Sequence, residues 1–205
     1  MSPQQRRADL IRTALDVFSR TSPDQVTMED IATTADVSRA LIYRYFPNMA
    51  ELRAAAVNVA MRELAQRLVP DANLPLLEQL RAALGEFIAF AEEYAPAYIS
   101  LLRGGSIVAT EQTEAEIDQV RAQVRRLLLE RSGVDEPSAR LDLALRCWTA
   151  VVESAVLMWL EERSMSRAEL QSWLLDQLLA MAGASGAGDA ETRTLVRGIV
   201  PDSHE

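Results

Sequence analysis

TMEDIATTADVSRALIYRYFPNMAEL, residues 27–52, is the stretch on which the fold turns. Thr27 precedes a short helix expected from Met28 to Ala35, and Asp30, three residues on, is the acidic partner of a capping box. Asp36-Val37 turns the chain, Ser38 caps a third helix through Tyr45, and Phe46-Pro47 ends it. Val26, Ile31, Ala35, Val37 and Ile42 supply the apolar contacts that would lock two short helices at one angle. The second helix is short and polar along its N-terminal half, as an element entering a DNA groove must be. Thr27 and Ser38 put hydroxyls at the two helix N-termini, where phosphate is attracted, and Arg39 and Arg44 project from the second helix. Tyr43 and Tyr45 follow at spacings that reach a nucleic-acid backbone.

Upstream, Ile11, Ala14, Leu15 and Phe18 recur at helical spacing and predict a first helix from Pro3 to about Arg20, broken at Thr21-Ser22-Pro23-Asp24. Downstream, a long helix runs from Asn48 to about Val69 and stops at Pro70. Further helices are expected at 76–94, from Pro96 to Gly104-Gly105, at 111–131, 138–162 and 166–181. No internal repeat and little strand signal interrupt this series. The predicted fold is all-α, about nine helices, with a helix-turn-helix domain at 1–47 and a larger helical domain at 48–182. A Gly-rich tail at 183–205, opening with GASGAGDA, is expected to be flexible.

The order of residues in 27–52 resembles the DNA-binding signature of tetracycline-repressor-like (TetR family) regulators. The matching positions are Thr27, Ile31-Ala32, Ala35-Asp36-Val37-Ser38, Ile42-Tyr43-Arg44-Tyr45-Phe46 and Leu52. The resemblance implies that Arg39, Ala40, Leu41 and Arg44 face bases, while Thr27, Tyr43 and Tyr45 hold phosphates. Many members carry Gly where Ala40 stands. A Lys that commonly meets phosphate at the start of the fourth helix is replaced by Met49, so that contact is missing unless the helix N-terminus or Arg53 supplies it.

The same resemblance implies that the second domain dimerises and binds a small effector. Helices 138–162 and 166–181 carry more apolar surface than one face can bury in a monomer, which points to an isologous four-helix interface. Val156, Trp159, Trp173, Leu174 and Leu178 are the interface candidates. The effector candidates are Met61, Phe87, Phe90, Tyr94, Tyr98, Trp148 and Glu153, although Met and aromatic residues at helical spacing are more often core than pocket. Glu153 is a lone carboxylate in TAVVESAVLMW that pairs with an Arg, snorkels to solvent or meets a cationic effector. Pairing is favoured. By resemblance, effector binding would select a state in which helix 48–69 swings and the recognition helices leave their half-site spacing.

Composition bounds the alternatives. In a chain of 205 residues, 49% apolar and 25% charged, the class is globular. The net charge is −9, yet residues 1–50 are neutral, six Arg balancing six acids. There is no Lys, so every cationic phosphate contact must come from Arg. No signal peptide is visible, the apolar runs are broken by Glu or Arg before reaching a membrane span, and the single Cys147 suits a reducing cytoplasm. An enzyme is disfavoured: the one His is His204, Cys147 has no evident base, and no metal cluster or phosphate-cradling Gly loop is present, so no cofactor or metal is expected. A helical adaptor that has lost DNA binding is the other competing class. The expected partners are a double-stranded DNA operator, a small-molecule effector and a second copy of the chain, with no membrane.

Overall fold

The computed structural model describes residues 2–103 and 110–185, together with Arg193, Leu195 and Ile199. Among the described residues there are nine α-helices and no strand. They are α1 (Pro3–Phe18), α2 (Met28–Thr34), α3 (Arg39–Tyr45), α4 (Met49–Arg67), α5 (Leu76–Glu93), α6 (Ala95–Leu102), α7 (Glu111–Ser132), α8 (Ala139–Glu162) and α9 (Arg167–Ser185). A single 3-10 turn, Pro23–Gln25, lies between α1 and α2.

Local chemistry explains most of the boundaries. Ser2 caps α1 in a reciprocal box with Gln5, and Pro3 occupies the first helical position, where its missing N–H costs nothing. Ser138 caps α8, accepting from the Leu141 amide at 3.2 Å. At the end of α7, Gly133 takes φ +72°, and the Val134 and Gly133 amides return to the Leu129 and Glu130 carbonyls. That is the closing pattern for which a left-handed residue is required.

The molecule divides into two compact units, Met1–Leu64 with Phe90–Gln119, and Ala65–Ala89 with Val120–Glu205. The boundaries fall inside α4, α5 and α7 rather than near residue 47. In the first unit the core of α1–α3, built on Leu10, Phe18, Ile31, Ile42 and Phe46, extends to Leu52 and Ala56 of α4. Ala97 of α6 also packs on it, and the Ser100 hydroxyl donates to the Asp24 carboxylate at 2.5 Å. The helix-turn-helix therefore shares one core with the start of α4 and with α6.

The second unit is organised by the α8–α9 hairpin. α8 is long and apolar enough to cross a bilayer by length and composition. Here its inner face is instead core: Trp148 donates its indole N–H to the Leu174 carbonyl at 2.9 Å, and Trp159 donates to the Met165 carbonyl at 2.7 Å. Arg163 closes α8 in the left-handed region with its guanidinium 4.1 Å from the Trp159 ring centre. α9 is tied to α5 through Gln171 with the Arg81 carbonyl and Arg167 with the Gly85 carbonyl.

Two sequence expectations change. α9 continues through Gly183 to Ser185, and the described residues beyond it, Arg193, Leu195 and Ile199, are helical, with Leu195 and Ile199 fully buried. Gly104, Gly105 and His204 lie outside the described residues.

Candidate DNA interface and ligand cavity

The α2–α3 pair is assembled almost entirely from short-range bonds. The Thr27 hydroxyl accepts from the Asp30 amide at 3.3 Å and donates to the Asp30 carboxylate at 2.6 Å, while the Thr27 amide donates to the same carboxylate at 2.8 Å. These bonds hold the Asp30 pKa below its ordinary value. At the turn, Asp36 takes φ +51°, the Val37 amide reaches the Ala32 carbonyl at 3.0 Å, and the Asp36 amide reaches that of Thr33 at 3.2 Å. Both bonds of a Schellman closure are present, with Asp in the position glycine usually takes. Ser38 then caps α3, accepting from the Leu41 amide at 3.2 Å.

α3 has seven residues and buries one side chain fully, Ile42. Arg39, Ala40, Tyr43 and Arg44 are exposed, Tyr43 at 49%. Leu41 and Tyr45 are half-buried, Tyr45 packing on the helix-turn-helix core with the Arg44 guanidinium 5.5 Å from its ring centre. Thr27 and Ser38 are exposed although their hydroxyls serve the caps. Arg39 is ion-paired with Glu29 of α2, so an arginine nominated for base contact rests against a carboxylate across the turn.

At the start of α4, Met49 and Arg53 both turn towards the protein interior. Met49 packs against the helix-turn-helix core. Arg53 is turned inward, donating to the Pro23 carbonyl at 3.1 and 2.6 Å and to the Val26 carbonyl at 3.3 Å. Burial pulls its pKa below the ordinary guanidinium value, with the Asp24 carboxylate opposing. Arg53 thus fastens the 3-10 turn to α4. The α4 N-terminus is closed by Asn48, which accepts from the Glu51 amide at 2.9 Å.

The seven effector candidates separate into two cavities. Met61, Phe90, Tyr94 and Tyr98 border a small apolar cavity of about 60 Å³ in the first unit, beside Phe18 and Arg53. Phe87, Trp148 and Glu153 border a larger one of about 110 Å³ in the second unit, between α5, α7 and α8. Glu153 is paired there: the Arg121 guanidinium of α7 donates to its two oxygens at 2.8 and 2.6 Å. Sequence reasoning missed Arg121 and Gln79, which both line this cavity. Gln79 stands among the leucines of LPLLEQLRAAL, and an amide on an otherwise apolar face was the available signal.

The five interface candidates differ in how far the single chain already buries them. Val156, Trp159, Leu174 and Leu178 are all buried within the single chain, as core of its second unit, and only Trp173 is exposed. The apolar side chains that α8 turns outward are Leu143, at 61% exposure, and Met158, at 55%, in register with the exposed Cys147, Ala150 and Ser154.

Comparison with known proteins agrees with this architecture. Residues 10–56 match the model of bacterial regulatory proteins of the tetR family, and residues 76–181 match that of the tetracyclin repressor-like C-terminal domain. A crystal structure of a tetR-family transcriptional regulator from Streptomyces coelicolor superposes with a TM-score of 0.93 at 40% identity, covering 100% of this chain and 92% of that one. The HTH-type transcriptional repressor KstR of Rhodococcus jostii is 26% identical over 161 residues, 78% of this chain and 76% of the relative. FadR from Bacillus subtilis, solved in complex with stearoyl-CoA, shares the fold alone, with a TM-score of 0.62 at 16% identity over 85% of this chain and 96% of that one. The chain belongs to the tetR family and is a DNA-binding transcriptional regulator rather than an enzyme.

Proposed function

We propose that the protein is a cytoplasmic, homodimeric repressor that leaves a near-palindromic operator when a small molecule occupies the cavity between α5, α7 and α8. The observation that carries this reading is the outward face of α3. Ile42 anchors it, Ala40, Tyr43 and Arg44 face outward, and Arg39 is exposed beside Glu29. Arg39, Ala40, Leu41 and Arg44 read base edges; Thr27, Ser38, Tyr43 and Tyr45 hold the backbone. KstR, a repressor by name, supports the sign of regulation, and the stearoyl-CoA complex of FadR supports ligand binding in this fold.

The dimer surface is the outer face of the hairpin, with Leu143, Cys147, Ala150 and Met158 of α8 and Trp173 of α9. A contiguous exposed apolar stripe on two antiparallel helices suits a second copy related by a two-fold axis. Two recognition helices would then stand about 34 Å apart, one turn of DNA. Ligand binding releases the operator only to the extent that it favours the arrangement with the wrong spacing.

Fluorescence anisotropy on duplexes flanking the protein's own gene tests this reading. Arg44→Ala is expected to weaken specific binding by about 1–3 kcal/mol, roughly 5- to 150-fold, with the dimer intact by light scattering. Absence of any specific binding by a folded dimer at low salt overturns it.

A further inference from the structure

Gln79 of α5 borders the larger cavity and is only 6% exposed. Its amide nitrogen donates to the Leu74 carbonyl at 2.7 Å. That bond settles the orientation of the amide, because a carbonyl can be met by NH₂ and not by oxygen. The side-chain oxygen is buried and accepts no hydrogen bond among the described residues. Such a group is rare in a folded chain, because a buried acceptor stripped of water is costly unless something donates to it.

The rest of the wall is apolar, apart from an ion pair and Thr149, whose hydroxyl donates to the Leu145 carbonyl at 3.0 Å. Leu80, Leu84, Phe87, Val124, Leu128 and Val152 line it. The charged groups at the cavity are Arg121, Glu153 and Arg131. Arg121 and Glu153 are held in a two-point ion pair, and Arg131 is exposed. A carboxylate ligand would have to compete with Glu153 for Arg121, and a cation would have to compete with Arg121 for Glu153. Either ion would also set a like charge beside one member of that pair, against an otherwise apolar wall.

We infer that the cavity takes a neutral, largely apolar molecule carrying a hydrogen-bond donor, a hydroxyl or an N–H, which it presents to the side-chain oxygen of Gln79. The inference rests on the reading of this cavity as the effector site and adds the ligand's chemistry to it. Gln79 sets specificity through a buried acceptor that no described residue meets. Its Leu74 bond keeps the amide from rotating to offer a donor instead, so a ligand with only acceptors meets oxygen against oxygen.

Calorimetric titration of the full-length protein with four probes of one chain length tests this. The probes are 1-octanol, its isomer heptyl methyl ether, octanoate and octylammonium. 1-Octanol is expected to bind about tenfold more tightly than the ether, and more tightly than either ion. In Gln79→Met, which keeps the length and removes the acceptor, alcohol and ether should bind alike, with the ether no weaker than to the wild type. Equal binding of alcohol and ether to the wild type overturns the donor requirement, whether or not the variant folds. Persistence of the alcohol preference in Gln79→Met overturns the role of Gln79. Tightest binding by octanoate or octylammonium overturns the neutral class. Failure of all four to bind, with the protein folded, overturns this inference together with the cavity's reading as an effector site, whereas binding of all four alike removes only the inference.

Discussion

The α2–α3 pair and the α8–α9 hairpin are each two helices joined by a short connection, yet they are held by different physics. α2 and α3 have seven residues each, too few to be stable as isolated helices. They persist because the Thr27–Asp30 box, the Schellman closure at Asp36 and the Ser38 cap satisfy their ends, and because Ile31 and Ile42 reach a shared core. α8 and α9 have 24 and 19 residues, and α8 alone buries eight side chains. Their stability comes from area and from two indole hydrogen bonds into backbone carbonyls. The lesson is that a region fixed largely by its ends can keep one helix face exposed, whereas a region fixed by its face uses up the residues that composition alone would assign to an interface.

The sharpest way to break the comparison is Trp148→Ala. It removes a buried indole and its bond to Leu174, and should cost about 3–5 kcal/mol in urea unfolding. A loss below about 1 kcal/mol would mean that area does not hold the hairpin. Ile42→Ala comes next, at about 2–4 kcal/mol. Operator binding should disappear while titration of the α5–α7–α8 cavity still gives a signal, because Ile42 serves only the first unit's core. Simultaneous loss of both signals would contradict that independence.

Thr27→Ala is smaller, about 1 kcal/mol for a lost N-cap, read as a lower thermal midpoint, and Thr27→Ser should restore it. The smallest effect is in pH. Asp30 has a folded-state pKa below its ordinary value of 3.8, lowered by its bonds to Thr27. Its contribution to stability is therefore present in full above that ordinary value and is lost as pH falls through the lowered one. The gap in thermal midpoint between wild type and Asp30→Asn should stay constant above about pH 5 and shrink towards pH 3. A gap that widens on acidification would show that the carboxylate is not what the cap uses.

Much of this molecule is written in its local chemistry, and the helix ends show why. The capping of α2 by Thr27 and Asp30, the turn at Asp36-Val37, the Ser38 cap and the limits of α7 and α8 all follow from groups within about five residues of one another. Identity at each position is enough to anticipate such bonds. The outward face of α3 is legible for the same reason, since on a seven-residue helix with one buried anchor Arg39, Ala40, Tyr43 and Arg44 are exposed.

What the tertiary structure decided was which way the long faces turn and what meets across them. α8 is apolar nearly all round, so its pattern cannot tell Val156, which is buried, from Met158, which is exposed. That choice depends on α9, some twenty residues away. The inward turn of Arg53, the pairing of Glu153 with Arg121 thirty-two residues earlier, and the solitary oxygen of Gln79 are likewise set by neighbours distant in sequence. Hydrogen-bonding at helix ends is a property of short segments, readable along the chain. Burial and the satisfaction of a buried polar group are properties of the packed whole, and they exist only once the helices have met.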